Sequence, residues 1–344
     1  MKPNIFYYAT SELSQDAFLA WLFKWAEKDN EQYDKQLHDC AEKCLRSFLK
    51  RINPKEIKTV EIYRQWENID LWITVNNIYH LIIEDKTGTS EHDNQLIRYR
   101  KIAKEWYKGE NGKCFESRFA FVYYKSGDII PYERDRVLEA NYRLIERTDL
   151  LSIFEKYKIN NSFFNDYKER LKNIQTVQNT IFTKPFGEIL KMEIEDKNEC
   201  LKGFYTNLYP ELEDAYWDYV NNPSRPFYGM WWYWCSWTYG TLYFQFNEFD
   251  LQIRLNEIKR TKDFKIARNK AYDKLMEAVE ITKEYNGKIT KPERFGVGNS
   301  MTIAVVAQSA WLSLDKTGCL DKDGVLKKLH KLEKFLWYEV LRNE

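Results

Sequence analysis

The apolar positions at the start of the chain recur at helical spacing. In SELSQDAFLAWLFKWAEKD, Leu13, Phe18, Leu22 and Trp25 follow one stripe, and Ser11 stands where the helix begins. DKQLHDCAEKCLRSFLKRI predicts a second helix. The period then drops to two. KTVEIYRQW alternates, IDLWITV follows, and YHLIIEDK makes a third strand. SEHDNQLIRYRKIAKEWYKG returns to helical spacing through Leu96, Ile97, Ile102 and Trp106. SRFAFVYYK reads as a strand, and NYRLIER is a candidate for one more. Helix, helix, three strands, helix, strand is the order of a mixed α/β layer, not of a helical bundle.

Residues 148–200 read as largely helical, from TDLLSIFEKY through FNDYKERLKNIQTVQNTIF. A second unit is expected from 201. It starts with a helix over ELEDAYWDYVNN, then antiparallel strands over GMWWYWCSW, TLYFQFNEF and LQIRLNEI joined by short turns. The charged segment DFKIARNKAYDKLMEAVEITKEY predicts a long helix, MTIAVVAQSAW a strand, and KDGVLKKLHKLEKFLWYEVL an amphipathic helix. The expected organisation is a mixed α/β domain over 1–147, a helical connector over 148–200 and an α+β accessory domain over 201–344.

Composition narrows the function. The 344 residues are 44% hydrophobic and 16% aromatic, but the formal charge is only +1. A nucleic-acid partner would therefore need a local basic patch. Acids interrupt the short apolar run of the N-terminus, so it does not read as a signal peptide, and no apolar stretch is long enough to span a bilayer. A cytoplasmic protein without membrane contact is expected. Cys40, Cys44, Cys114, Cys200, Cys235 and Cys319 are scattered; Cys40 and Cys44 lie one helical turn apart, but no second pair completes a metal site, so buried free thiols are expected. His38, His80, His92 and His330 show no ligand spacing. Neither a Ser/His/Asp arrangement nor a phosphate-cradling glycine loop is present.

The chemistry concentrates in NIDLWITVNNIYHLIIEDKTG, residues 68–88. Residues two apart in a strand share a face, so Glu84 and Lys86 point one way and the Asp85 side chain the other. An antiparallel hairpin turning at Asn76-Asn77 sets Asp70 against Glu84. Opposed carboxylates repel unless a cation lies between them, and hard oxygen donors suit Mg²⁺ or Mn²⁺. Lys86 adds a positive charge for a developing anion, a combination suited to phosphodiester hydrolysis. The plainer account is a solvated pair of strand-end acids with Lys86 as a counter-ion.

A second motif follows at once. Gln95 and Tyr99, in QLIRYR, lie on one face of the next helix. Together the two motifs resemble the PD-(D/E)XK nuclease superfamily, and the Gln-x-x-x-Tyr pair resembles its RecB-like branch. The order of helices and strands is similar too, although Ile69 stands where the motif name has Pro. ATSELSQDAFLAWLFKWA looks like the opening helix of one bacterial group of that superfamily, and the aromatic-rich segment after 227 is similar to its C-terminal part.

The resemblance implies a restriction-endonuclease-like core, a mixed sheet flanked by helices, and a Mg²⁺- or Mn²⁺-dependent deoxyribonuclease of bacterial defence or repair. It implies Asp70 and Glu84 as metal ligands, the Asp85 carbonyl as a third, and Lys86 as the residue that orients water or stabilises the transition state. Glu12 would complete the metal site, with Asp16 as an alternative. Gln95 and Tyr99 would help shape the site and contact the nucleic-acid backbone; Arg98 and Lys101 are expected to do so on their charge alone. Glu61 is a further acid, either reaching a second metal or simply exposed; Glu67 falls in a turn.

Arg98, Arg100, Lys101 and Lys104 form one basic stretch, and 259–294, with eleven basic and six acidic residues, forms another. Most rings of GMWWYWCSW are expected in a sheet core. DNA is the expected partner, with RNA still open, and a homodimer or protein partner would use the second unit. The competing account is a binding module that keeps the fold but is inactive, or is active only within a complex.

Overall fold

The drop in period near residue 60 marks the first strand of a sheet in the computed structural model, which describes residues 3–50, 52, 54–88, 94–107, 115–222, 226–256, 264–295 and 300–342. Strands β1 (Val60–Trp66), β2 (Ile69–Val75) and β3 (Tyr79–Lys86) form an antiparallel meander. Strands β4 (Phe119–Lys125) and β5 (Arg143–Glu146) extend it in parallel, in the order β1-β2-β3-β4-β5. Parallel neighbours need crossovers. Helices α3 (Gln95–Trp106) and α4 (Phe115–Arg118) lie between β3 and β4, and α5 (Pro131–Glu139) lies between β4 and β5.

Alternation along the strands splits the apolar residues between two cores. Leu71, Ile73, Leu81 and Ile83 pack with Phe18 and Leu22 of α1 (Glu12–Lys24) and with Leu45 of α2 (Lys35–Leu49). Helices α6 (Arg147–Phe154) and α7 (Ser162–Asn179) close that side with Phe154, Phe164 and Tyr167. Trp72, Ile82, Phe119 and Tyr123 face the other way, against Leu96, Tyr99 and Ala103 of α3. The buried stripe of α3 thus differs from the expected one: Ile97 and Trp106 are exposed, and Tyr99 is inside.

The β2–β3 turn contains the two expected asparagines and takes in Ile78 as well, since Val75 pairs with Tyr79. Asn76 and Asn77 have φ of 54° and 57°, a left-handed conformation that asparagine tolerates, and the Ile78 N–H donates to the Val75 carbonyl at 3.1 Å.

The chain divides into two compact units, one ending at Gln175 and one beginning at Thr176. The expected connector at 148–200 is shared between them, because α6 and most of α7 pack on the first sheet. The second unit contains α8 (Phe186–Ile189) and α9 (Ile194–Leu208), then a sheet ordered β10-β11-β9-β8-β7-β6. Its strands are β6 (Tyr216–Val220), β7 (Phe227–Trp237), β8 (Gly240–Asn247), β9 (Asp250–Asn256), β10 (Ile289–Thr290) and β11 (Ser300–Val306), all antiparallel. Helices α10 (Phe264–Thr282), α11 (Gln308–Trp311) and α12 (Lys322–Phe335) complete it.

One expectation here is corrected. ELEDAYWDYVNN is not a helix, since its second half is strand β6. Tyr216 and Tyr219 pair across the ladder with Trp231 and Tyr228, with ring centroids 5.1 and 5.0 Å apart. Cross-strand aromatic pairing outweighs the weak helical periodicity of the segment. The expected core role of the β7 rings holds for Trp232, which is fully buried, while Trp231 and Trp234 are half-buried.

Candidate active site

The site arises where β2 and β3 part. Their pairing runs from Val75 opposite Tyr79 to Leu71 opposite Ile83, and one further step in the same register sets Asp70 against Glu84. At that opening the Asp85 N–H donates to Asp70 Oδ2 at 2.9 Å. A residue's N–H and C=O leave a strand on the same side, so the Asp85 carbonyl also faces Asp70. On its other edge β3 stays paired with β4, with Lys86 opposite Lys125.

Glu84 is completely buried, and Lys86 Nζ lies 2.5 Å from its Oε1. Beyond that ion pair, neither Glu84 oxygen has a further hydrogen-bond partner among the described residues. Burial, and then the Asp70 charge, push the Glu84 carboxyl up to about 8. Burial alone would lower the pKa of Lys86, but Glu84, Glu12 and Asp70 outweigh it and raise the group above the usual lysine value. Glu12 Oε2 is 3.7 Å from Lys86 Nζ, while its Oε1 accepts from the Thr87 N–H at 3.3 Å.

Helix α1 turns three polar residues toward these strand ends, Glu12, Gln15 and Asp16, at i, i+3 and i+4. Gln15 was not among the expected residues, though that spacing beside Glu12 is a signal that finds it. Its Nε2 donates to Asp85 Oδ1 and, at 3.3 Å, to the Lys86 carbonyl. Its Oε1 accepts from the Tyr167 hydroxyl at 2.9 Å, which in turn meets the Tyr124 hydroxyl. Gln15 therefore ties α1 and α7 to the back of the Asp85–Lys86 segment.

The Asp85 side chain points into this network, away from Glu84. Burial and then the Asp16 charge push its carboxyl well above the usual range. Asp16 rises to about 6, from burial first and the Asp70 charge second. Gln65 was also missed. Its Nε2 donates to Asp16 Oδ2 at 3.1 Å and to Asp70 Oδ1 at 3.3 Å. Nothing in its local sequence marks it, because its position depends on a positive φ of 53° near the end of β1.

The Gln95 and Tyr99 side chains are both buried on α3. The Tyr99 hydroxyl donates to the carbonyl of Asn68, two residues before Asp70. Burial, then the charges of Glu84 and Asp70, raise its pKa. Arg98 and Lys101 are exposed on the outer side of the same helix, with the Arg98 guanidinium 5.5 Å from the Tyr99 ring centroid. Arg100 is held by Glu116 at 2.9 Å and lies over Phe121.

Glu61 is not brought to the acids. It pairs with Thr74, four positions along β2 from Asp70, or about 13 Å, and accepts from the Tyr63 hydroxyl at 3.1 Å. Glu67 is exposed in the turn before β2. His92, Cys114 and the basic residues at 259–262 lie outside the described residues. Cys40, Cys44, Cys200 and Cys319 are buried free thiols, as expected, and Cys235 is half-buried.

Lys125 is a further buried cation beside the site. It is 1% exposed and held by Glu133 at 2.9 and 3.2 Å, with the Tyr123 hydroxyl on the same carboxylate. Glu133 thereby compensates a second lysine next to Lys86.

Among the described residues no three Asp, Glu, His or Cys side chains form a metal cage by themselves. Two carboxylates and a main-chain carbonyl instead suit a small hard cation that keeps its waters and takes remaining ligands from a phosphate. The buried Glu84 oxygens, set against Asp70, are consistent with that donor set.

A mixed five-stranded sheet flanked by helices, with opposed acids and a lysine at the opening of its central hairpin, is the arrangement of a restriction-endonuclease-like α/β fold. The sequence profile of the PD-(D/E)XK nuclease superfamily matches residues 3–202, more than half of the chain, and the protein belongs to that superfamily. No curated protein and no solved structure matches the chain. Among the described residues no helix is long and apolar enough to cross a membrane.

Proposed function

We propose that the protein is a divalent-metal-dependent deoxyribonuclease whose centre is Asp70, Glu84 and Lys86. The observation that carries the reading is Glu84, completely buried, paired with Lys86 and one register step past the last β2–β3 pair, where it faces Asp70. Glu84 and Asp70 share the one Lys86 ammonium, so a second negative charge is left over beside it, and an uncompensated charge next to a buried one is costly to folding.

Asp70, Glu84 and the Asp85 carbonyl would hold Mg²⁺ or Mn²⁺, with Glu12 completing the set, directly or through water. When bound, the cation would neutralise the scissile phosphate and favour ionisation of an attacking water. Lys86, fixed between Glu84 and Glu12, orients that water and stabilises charge on the phosphoryl oxygens. Gln15 positions the Asp85–Lys86 backbone, and Tyr99 holds the Asn68 carbonyl and so the entry to β2. Arg98 and Lys101 lie outside on α3, where they meet the flanking phosphates. Defence or repair is the setting suggested by the family resemblance.

The test is cleavage of circular and linear DNA, single- and double-stranded, with Mg²⁺ or Mn²⁺ and with chelator. Wild type should cut only with metal, and Asp70→Ala and Lys86→Ala should each lose on the order of 100-fold or more in rate. Equal activity of wild type and both variants would sink the assignment.

A further inference from the structure

A cavity of about 720 Å³ lies along the β2–β3 hairpin, from Trp66 and Trp72 near the acid pair to Asn77 at the turn, within the roughly 300–1,000 Å³ typical of small-molecule sites. Trp66, Trp72 and Trp106 form its walls, with Tyr63, His80 and Arg118. The indoles meet nearly edge to face. Trp72 lies 4.7 Å from Trp66 and 5.2 Å from Trp106, each at 70°, and Trp66 and Trp106 are 6.4 Å apart at 88°. Trp72 and His80 are buried, but Trp106 is 50% exposed and Tyr63 45%. Keeping large rings open to water around a cavity does nothing for folding.

The polar groups restrict the guest. His80 Nδ1 accepts from Trp72 Nε1 at 3.4 Å and lies 3.1 Å from Thr74 Oγ1. Burial, then the Arg118 charge, lower its pKa to about 4, and with Nδ1 accepting from Trp72, Nε2 is the ring nitrogen left to face a guest. Arg118 in the wall disfavours a quaternary ammonium, which aromatic boxes otherwise suit. Glu61, also in the wall, and the apolar rings disfavour a bare phosphate. A flat, neutral heterocycle with acceptors on its edge fits what remains.

The cavity is linked to the acids through two elements. Trp66 pairs with Ile69, next to Asp70, across the Glu67–Asn68 turn. Trp106 is seven residues after Tyr99 on α3, two turns or about 10 Å along the same helical face. That is the reach of one or two nucleotides of an unstacked strand, whose phosphates lie farther apart than the roughly 3.4 Å axial spacing of duplex.

We propose that this cavity receives one unpaired nucleobase of the substrate strand beside the bond to be cut, so that the substrate is single-stranded, or locally unpaired, at that point. The inference rests on the nuclease reading of Asp70, Glu84 and Lys86. A base inside a duplex presents neither its faces nor its pairing edge, so only an unstacked one can enter.

The test is binding of a short single-stranded DNA and of a blunt duplex to the full-length protein in chelator, where nothing is cut. Trp106→Ala should weaken single-strand binding about 10-fold and leave the duplex unchanged, while Trp106→Phe, which keeps a ring, should stay within about threefold of wild type. An oligonucleotide with abasic positions should bind wild type as weakly as the intact one binds Trp106→Ala. Equal affinities of wild type and Trp106→Ala, an equal loss on duplex, or fluorescence quenching by choline but not by nucleosides would each overturn the proposal. A ring-dependent preference for single strands in a chain that cuts no nucleic acid would leave the cavity standing and defeat the nuclease reading. Cleavage with binding indifferent to Trp106 would do the reverse.

Discussion

Glu84 joins stability and chemistry in one side chain. Its carboxyl titrates near 8 in the folded chain, through burial and the Asp70 charge, against an ordinary value of 4.5. The folded-state value is raised, so its contribution is fully present below about pH 4.5 and is lost as pH rises through about 8. The metal-free protein should therefore lose on the order of a few kcal/mol between those limits. Glu84→Gln stays neutral and should flatten that fall, with a higher melting temperature than wild type at pH 8 in chelator, while abolishing metal-dependent cleavage. A variant that melts lower than wild type under those conditions would show that the buried charge is compensated in some other way.

Gln15 and Gln65 mark the limit of reading residues singly. Both meet the acids, yet neither belongs to a short motif. Gln15 is recoverable from its helical spacing to Glu12. Gln65 is not, because a positive φ near the end of β1 aims it.

At the scale of elements, the ends of β3 and β4 are fitted closely. The Ser126 N–H donates to the Lys86 carbonyl at 3.1 Å, and a Cβ on Gly127 would come 2.1 Å from the carbonyl oxygen of Thr87. Arg147 clasps the same loop through the Gly127 carbonyl at 2.8 Å and Asp128 at 2.9 Å. Gly127→Ala should destabilise the protein by about 1–3 kcal/mol. It should also slow cleavage, because Thr87 must shift and its N–H holds Glu12. Melting and single-turnover kinetics check both effects, and an unaltered melting temperature would show that the loop yields freely.

Strands β1 to β4 were legible, β1 because it alternates and β2 to β4 because short apolar runs bounded by turns suit strands covered on both faces. Helix α5, whose PYERDRVLE is mostly charged, was not anticipated. Only Glu133 and Val137 are buried there, and its place depends on the β4–β5 crossover and on Lys125.

For the whole molecule, the boundary falls inside α7, and the superfamily match runs past it to residue 202. The first unit has its own two-sided core, so a fragment of residues 1–179, which completes α7, should melt cooperatively by circular dichroism. A non-cooperative melt would show that the remaining chain is needed for that core to form.

The sequence by itself determined the hairpin. Two apolar runs flanking two asparagines able to turn the chain bring Asp70 near Glu84, and these are local properties; the observed register comes from a turn that takes in Ile78 as well, so that Val75 pairs with Tyr79. Its motifs also carried the family resemblance. Tertiary structure alone decided how deeply Glu84 is buried, that Asp85 turns to Gln15 and Asp16, that Tyr99 faces inward, and that three tryptophans distant in sequence wall one cavity. Those outcomes depend on which helix covers which sheet face, and that packing is set by contacts between residues far apart in the chain, where no local period carries the information.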